Sequence, residues 1–182
     1  MSVTSTVRRF EIELADSDRD LYATLDLRTA QHPSESDRYL VARVLARALE
    51  HAEGVEFSKG GLSDAEEPAI FRRDLTGRLL AWIDIGSPSP ARLHRATKTC
   101  ERVAVYGWKS VDRLAEQLVA ERVHRAHDVA LFALDQGFLD RLAATLDRHQ
   151  RWDVSVSGAT LYVGVGGATH EGPLTQIAVP EG

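Results

Sequence analysis

The chain of 182 residues contains one cysteine, one methionine, six prolines and only 7% aromatic residues. A lone Cys100 can close no intramolecular disulfide, so no disulfide partner is expected, and a single thiol fits a reducing compartment. Long apolar runs are also missing. The hydrophobic stretches are short and broken by charge, well below the roughly 20 residues that cross a bilayer, so no membrane partner is expected. The opening MSVTSTVRRF carries basic residues with no apolar segment behind them, which argues against a secretory signal and for a cytoplasmic location. Nor is there an excess of positive charge: 22 Lys and Arg stand against 27 Asp and Glu, a formal net charge of -5. That balance excludes a strongly electropositive, non-specific DNA binder and leaves room for a local basic face beside an acidic site.

What is present is enough apolar material for a full core. With 43% hydrophobic residues and no repeat, low-complexity tract or linker, residues 1–182 are expected to form a single domain. Alternation over Thr4 to Leu14, with Val7, Phe10, Ile12 and Leu14 apolar, predicts a strand, and Leu21 to Arg28 its hairpin partner. After Pro33, the spacing of Tyr39, Leu40, Val44, Leu45, Ala48 and Leu49 predicts a helix capped by Ser34 and ending near Gly54. Ile70 and Phe71 lead through the turn-rich Asp74-Leu75-Thr76-Gly77 into Leu79 to Ile85, which is apolar enough for a central strand. Helix and strand then alternate: helix over Ala91 to Cys100, strand Arg102 to Tyr106, helix Ser110 to Ala126, strand Val129 to Leu134, helix Gln136 to His149. Trp152 to Val156 and Thr160 to Val165 form a closing hairpin, with Leu174 to Val179 as a last strand. The expected class is mixed α/β, with parallel pairing in the middle, antiparallel hairpins at both chain ends and helices flanking a central mixed sheet.

The chemical signal centres on Asp84. It ends the most apolar strand, where a carboxylate is costly unless it reaches water, a partner or a metal, and ligands in open α/β sheets gather at such strand ends. Asp64, Glu66 and Glu67 stand at the start of the preceding hairpin arm, so either Glu66 or Glu67 would approach Asp84 at the open end of that hairpin. Paired carboxylates there suit Mg²⁺, with Mn²⁺ as a substitute, and a metal so held would polarise a phosphoryl oxygen and activate water. The bland reading makes the glutamates solvated loop acids and Asp84 a capping residue. On the next helix Arg92, Arg95 and Lys98 recur at three-residue spacing, either to hold a phosphate beside the metal or as an ordinary solvated face. Glu35 in the first turn of its helix either complements the helix dipole or faces the same pocket as a third metal-water contact. His94, His124 and His127 read as surface residues, and the glycines at 164, 166 and 167 as a strand end.

Taken in order, His32-Pro33-Ser34-Glu35, Gly60-Gly61-Leu62, Glu67-Pro68, Trp82-Ile83-Asp84-Ile85-Gly86-Ser87-Pro88, Arg95-Ala96 and Arg102-Val103-Ala104-Val105-Tyr106 resemble the bacterial YaeQ family over nearly the whole chain. That resemblance implies a variant of the PD-(D/E)xK restriction-endonuclease-like fold, with an acidic site at the end of a core hairpin. It puts Glu67 near the first acidic element and Asp84 at the second. The lysine that commonly follows two residues later is replaced by Gly86, so Arg95 or Lys98 on the adjacent helix would supply the cation, with Glu35 as a helical acid. Two readings stand. One is a Mg²⁺-dependent phosphodiesterase acting on DNA or RNA through Glu35, Glu67 and Asp84 with Arg95 or Lys98. The other is a catalytically silent binding or regulatory module whose partner is a protein or a nucleic acid.

Overall fold

The computed structural model describes residues 4–59 and 67–181. The chain opens with the hairpin β1 (Thr6–Asp16) and β2 (Leu21–Gln31), followed by α1 (Asp37–Leu49), β3 (Val55–Phe57), β4 (Ile70–Arg73) and β5 (Leu79–Ile85). Then come α2 (Pro90–Thr99), β6 (Arg102–Gly107), α3 (Val111–Ala120), β7 (Val129–Leu134) and α4 (Gln136–Ala143), and the chain finishes with β8 (His149–Ser157), β9 (Thr160–Val165) and β10 (Ala168–Ile177). Among the described residues, ten strands form one nearly closed sheet in the order β2-β1-β8-β9-β10-β7-β6-β5-β4-β3. Four α-helices complete this mixed α+β architecture.

The sheet curls around α1. Phe10, Ile12 and Leu14 of β1, Leu25 and Leu27 of β2, Ile83 and Ile85 of β5, Trp152 and Val154 of β8 and Leu161 and Val163 of β9 all pack into one core with Leu40 to Leu49 of α1. A second core covers the other face, where Trp82, Val103, Val105, Val129 and Leu131 meet α2 and α3 through Leu93, Leu114 and Leu118. Burying each such aliphatic side chain stabilises the fold by about 1.5–3 kcal/mol before the entropy cost is subtracted. The spacing predicts an amphipathic α1, yet every residue from Leu40 to Leu49 is buried, including Arg43 and Arg47. A helix enclosed on all sides has no solvent face, so its arginines must be satisfied internally.

The middle strands follow the expected pattern: β5 pairs with β6, and β6 with β7, in parallel. Both terminal hairpins are present. The sheet also joins the two chain ends by a parallel pairing of β1 with β8, which local alternation could not reveal. β10 then links the halves, bonding to β9 over 168–173 and to β7 over 174–177. Several boundaries shift. Ser36, not Ser34, caps α1 by accepting from the Tyr39 N–H at 3.1 Å, while Ser34 is taken up by the His32 ring at 2.6 Å. Glu35 therefore precedes the helix instead of sitting in its first turn. α3 stops at Ala120 and α4 at Ala143, and His149, expected as the last residue of α4, opens β8 instead.

Candidate functional site

β5 carries Asp84 to the carboxyl end of the parallel β5–β6 pair, on the face shared with Trp82 and covered by α2. Ser89 caps α2 by accepting from the Arg92 N–H at 3.2 Å, and the first turn of that helix swings Arg92 back over the strand. Its guanidinium clamps Asp84 with both prongs, Nε to Oδ2 at 2.8 Å and Nη2 to Oδ1 at 3.0 Å. The Trp82 Nε1–H donates to the same Oδ2 at 2.8 Å, and the guanidinium carbon lies 4.8 Å from the Trp82 ring centre. The Asp84 side chain is 1% exposed and that of Arg92 12%. Such a two-pronged, charge-assisted arrangement is geometrically specific and about twice as strong per bond as neutral ones.

Glu67 reaches this cluster through its backbone: its carbonyl accepts from Arg92 Nη2 at 2.7 Å. The β4–β5 register, Ile70 opposite Ile83, indeed puts Glu67 and Asp84 at one end of the hairpin. Gly60-Gly61-Leu62, Asp64 and Glu66 lie outside the described residues. Glu35 is held elsewhere, on the α1 face of the sheet. Arg43 grips it with Nε to Oε2 at 2.8 Å and Nη2 to Oε1 at 3.0 Å, and also donates to Thr29 Oγ1 at 2.6 Å and the Ala30 carbonyl at 3.1 Å. Both side chains are fully enclosed. Burial pushes the Glu35 carboxyl above its ordinary value, against the pull of Arg43. The sheet thus separates Glu35 from Asp84.

Arg95 and Lys98 both lie exposed on α2, with Arg95 in a shallow groove beside His94 and Glu121. The inward cation of the row is Arg92. A signal for it exists in the sequence: an arginine in the first helical turn opposes the macrodipole, so another partner must hold it there. A third carboxylate repeats the theme. Glu50 at the end of α1 accepts from Arg102 Nη2 and from the Tyr106 hydroxyl, each at 2.7 Å. Burial, then Glu50, holds the Tyr106 phenol well above its usual value. Among the described residues no group of three or more His, Cys, Asp or Glu is arranged to hold a metal. Glu35, Glu67 and Asp84 do not fit a shared Mg²⁺, since the acids at 35 and 84 sit on opposite faces and each is already bound by an arginine.

The position expected for a lysine is glycine for a backbone reason. Gly86 adopts φ +88°, donates its N–H to the Tyr106 carbonyl at 2.9 Å, and lies so near β6 that a Cβ on Gly107 would meet the Gly86 oxygen at 2.7 Å. Beyond these glycines opens a crevice of about 340 Å³ between the β5–α2 and β6–α3 connections, lined by Ser87, Ser89, Lys109, Ser110 and Arg113. Lys109 and Arg113 are exposed and take part in no salt bridge among the described residues.

These features define a mixed α+β protein whose sheet enwraps a buried helix and whose buried carboxylates Glu35, Glu50 and Asp84 are each paired with an arginine. Residues 1–173 match the family model described as YaeQ protein, and the chain belongs to the YaeQ family. It is 26% identical over 166 residues to the Uncharacterized protein YaeQ of Escherichia coli (strain K12), covering 90% of each chain. The crystal structure of the YaeQ protein from Xanthomonas axonopodis pv. citri superposes with a TM-score of 0.86 at 32% identity, covering 97% of this chain and 100% of that one. The YaeQ protein from Pseudomonas syringae gives 0.85 at 32% identity, with 98% of both chains covered. No helix among the described residues is long and apolar enough to cross a membrane.

Proposed function

We propose that the chain is a catalytically silent binding module on a restriction-endonuclease-like framework, and that it holds the phosphate backbone of a nucleic acid at the crevice beyond Gly86 and Gly107. The clamp of Arg92 on Asp84 carries this reading. A divalent ion at Asp84 would have to displace that guanidinium and leave it without its carboxylate, and breaking such a buried pair costs about 3–5 kcal/mol. The antiparallel β4–β5 hairpin followed by the parallel crossover through α2 to β6 supports the framework.

On the ligand side, the crevice lies at the carboxyl ends of parallel strands, where open α/β sheets take their ligands. Lys109 and Arg113 supply cations that enter no salt bridge among the described residues. The net charge of -5 makes the attraction local and strongly dependent on salt. Fluorescence anisotropy with labelled single-stranded and duplex DNA and RNA oligonucleotides tests the reading. Binding should persist in EDTA, fall as salt rises, and weaken about tenfold or more when Lys109 and Arg113 are both changed to Ala, with the oligonucleotides intact on a denaturing gel. Divalent-dependent cleavage lost in Asp84→Asn would replace this reading with the phosphodiesterase. Absence of binding to every oligonucleotide at low salt would remove the nucleic-acid ligand.

A further inference from the structure

The two edges of the sheet are built differently. β3 is three residues long, too short to template another strand, whereas β2 runs eleven residues with no proline, glycine or bulge. Edges are commonly blunted by short length, proline, bulges or charged side chains, and of these β2 carries only charges, Asp26 and Arg28. Which of its backbone groups face outward follows from β1. Arg9 donates its N–H to the Arg148 carbonyl at 2.8 Å, so its backbone points towards β8 and away from Arg28, the residue opposite it. Arg28 must then direct its N–H and C=O outward, as must Tyr22, Thr24, Asp26 and Ala30. The Ala30 carbonyl agrees with this, because Arg43 reaches it from the α1 side.

The side chains on the solvent face of this edge carry a charge pattern that the hairpin itself does not resolve. Arg28 stands opposite Arg9, and Asp26 opposite Glu11, both like-charge pairs. Asp26 escapes by a diagonal pair with Arg9 at 2.8 Å, while Arg28 is exposed and enters no salt bridge among the described residues.

We propose that the chain forms a two-fold homodimer by antiparallel pairing of its β2 edges, centred on Leu27. This register puts Asp26 opposite Arg28 of the second copy, and Arg28 opposite its Asp26, both as hydrogen-bonded pairs. It is selected twice over. A slip of one residue would turn outward-pointing backbone groups against inward-pointing ones. A shift in pairing of two residues either way would set Asp26 against Asp26, or Arg28 against Arg28. The Asp26 carboxylate keeps acceptor sites beyond its bonds to Arg9, so an alternating row of Arg9, Asp26 and the second Arg28 can form.

Sedimentation velocity of the full chain over a range of concentrations tests the dimer. The wild type should move reversibly from the 20.1 kDa monomer to a species of twice that mass. Arg28→Asp and Asp26→Arg should each be folded monomers, because each single change turns a like-charge pair within the hairpin into an opposite one. Their equimolar mixture should recover the dimer, since the first variant then presents a carboxylate at both positions of the row and the second a guanidinium at both. A wild type that stays monomeric, an Arg28→Asp protein that still dimerises, or a mixture that fails to associate would overturn the proposal.

Discussion

Replacing Glu35 by Gln changes little in volume and removes one charge from a place water does not reach. Both side chains of the Glu35–Arg43 pair are 0% exposed, so the guanidinium left behind can neither hydrate nor find another carboxylate. The new amide would also turn a donor towards one prong of the arginine. Removing one partner of such a pair costs about 3–5 kcal/mol, a large share of the roughly 5–15 kcal/mol that holds a domain folded. For a chain of this size that is a fall in Tm of about 6–20 °C. The double variant Glu35→Leu with Arg43→Met removes both charges together. It should recover most of the loss and retain a penalty of about 1–3 kcal/mol, because Thr29 and the Ala30 carbonyl lose their donor. Arg38→Ala, which breaks an exposed two-pronged pair with Asp140, serves as the control and should cost about 1 kcal/mol or less. Urea unfolding monitored by circular dichroism measures all four proteins. A Glu35→Gln stability within about 0.5 kcal/mol of wild type, or a double variant less stable than Glu35→Gln, would refute the reasoning.

Cys100 is buried and its thiol is pushed up to about 11 by burial, so on the order of 0.1% is thiolate at pH 8 and native protein should resist iodoacetamide that labels the urea-unfolded chain fully. A thiol protonated more tightly in the folded state stabilises fully below the unfolded value near 9 and loses that contribution as pH rises through 11. The unfolding free energy from urea titrations should therefore fall by about 1–3 kcal/mol over that window, less steeply in Cys100→Ala, with Tyr106 acting in the same direction; a flat profile would contradict the assigned burial. Gly86→Lys restores the common motif residue at a φ of +88° beside Trp108 and Tyr39, so it should cost about 1–3 kcal/mol in thermal or urea unfolding. It should also gain no divalent-dependent cleavage; an unchanged stability would sink the backbone argument for this glycine.

The parts of the fold that were legible from residues are those where pattern and environment agree. Leu79 to Ile85 reads as a central strand and is one, because every residue of it except Asp84 is apolar and the run from Ala81 onward is buried on both faces. The hairpins at both ends follow from period-two alternation with turn residues between. α1 was legible as a helix but not as an enclosed one: Arg43 and Arg47 look like a solvent face until the sheet is seen to wrap around them. Asp84 could be singled out for its cost in an apolar strand, but its partner was harder to choose: Arg92, Arg95 and Lys98 share a spacing, and only the place of Arg92 in the first helical turn, against the macrodipole, sets it apart before the Ser89 cap is seen. The pairing of β1 with β8 joins residues about 140 positions apart by register. No local signal encodes that contact.

The arginine clamps and the wrapped sheet have one physical origin. A sheet that curls around a helix without closing leaves two edges with unpaired backbone groups, and buried carbonyls need donors as much as buried carboxylates need charges. Arg43 meets several demands at once: it reaches Thr29 and the Ala30 carbonyl on the β2 edge, pairs Glu35, and lies 5.2 Å from the Phe57 ring on the β3 edge. One side chain of the central helix therefore touches both rims of the opening. Arg92 does the equivalent on the other face, tying the hairpin entrance at the Glu67 carbonyl to the strand end at Asp84 and to the helix that follows. In each case the carboxylate is the anchor that makes a buried guanidinium tolerable, and the guanidinium is what seals the frame. A divalent ion drawn to such an acid would compete with the guanidinium that closes the seam. The proposed ligand site is therefore the crevice of Lys109 and Arg113, cations that enter no salt bridge among the described residues.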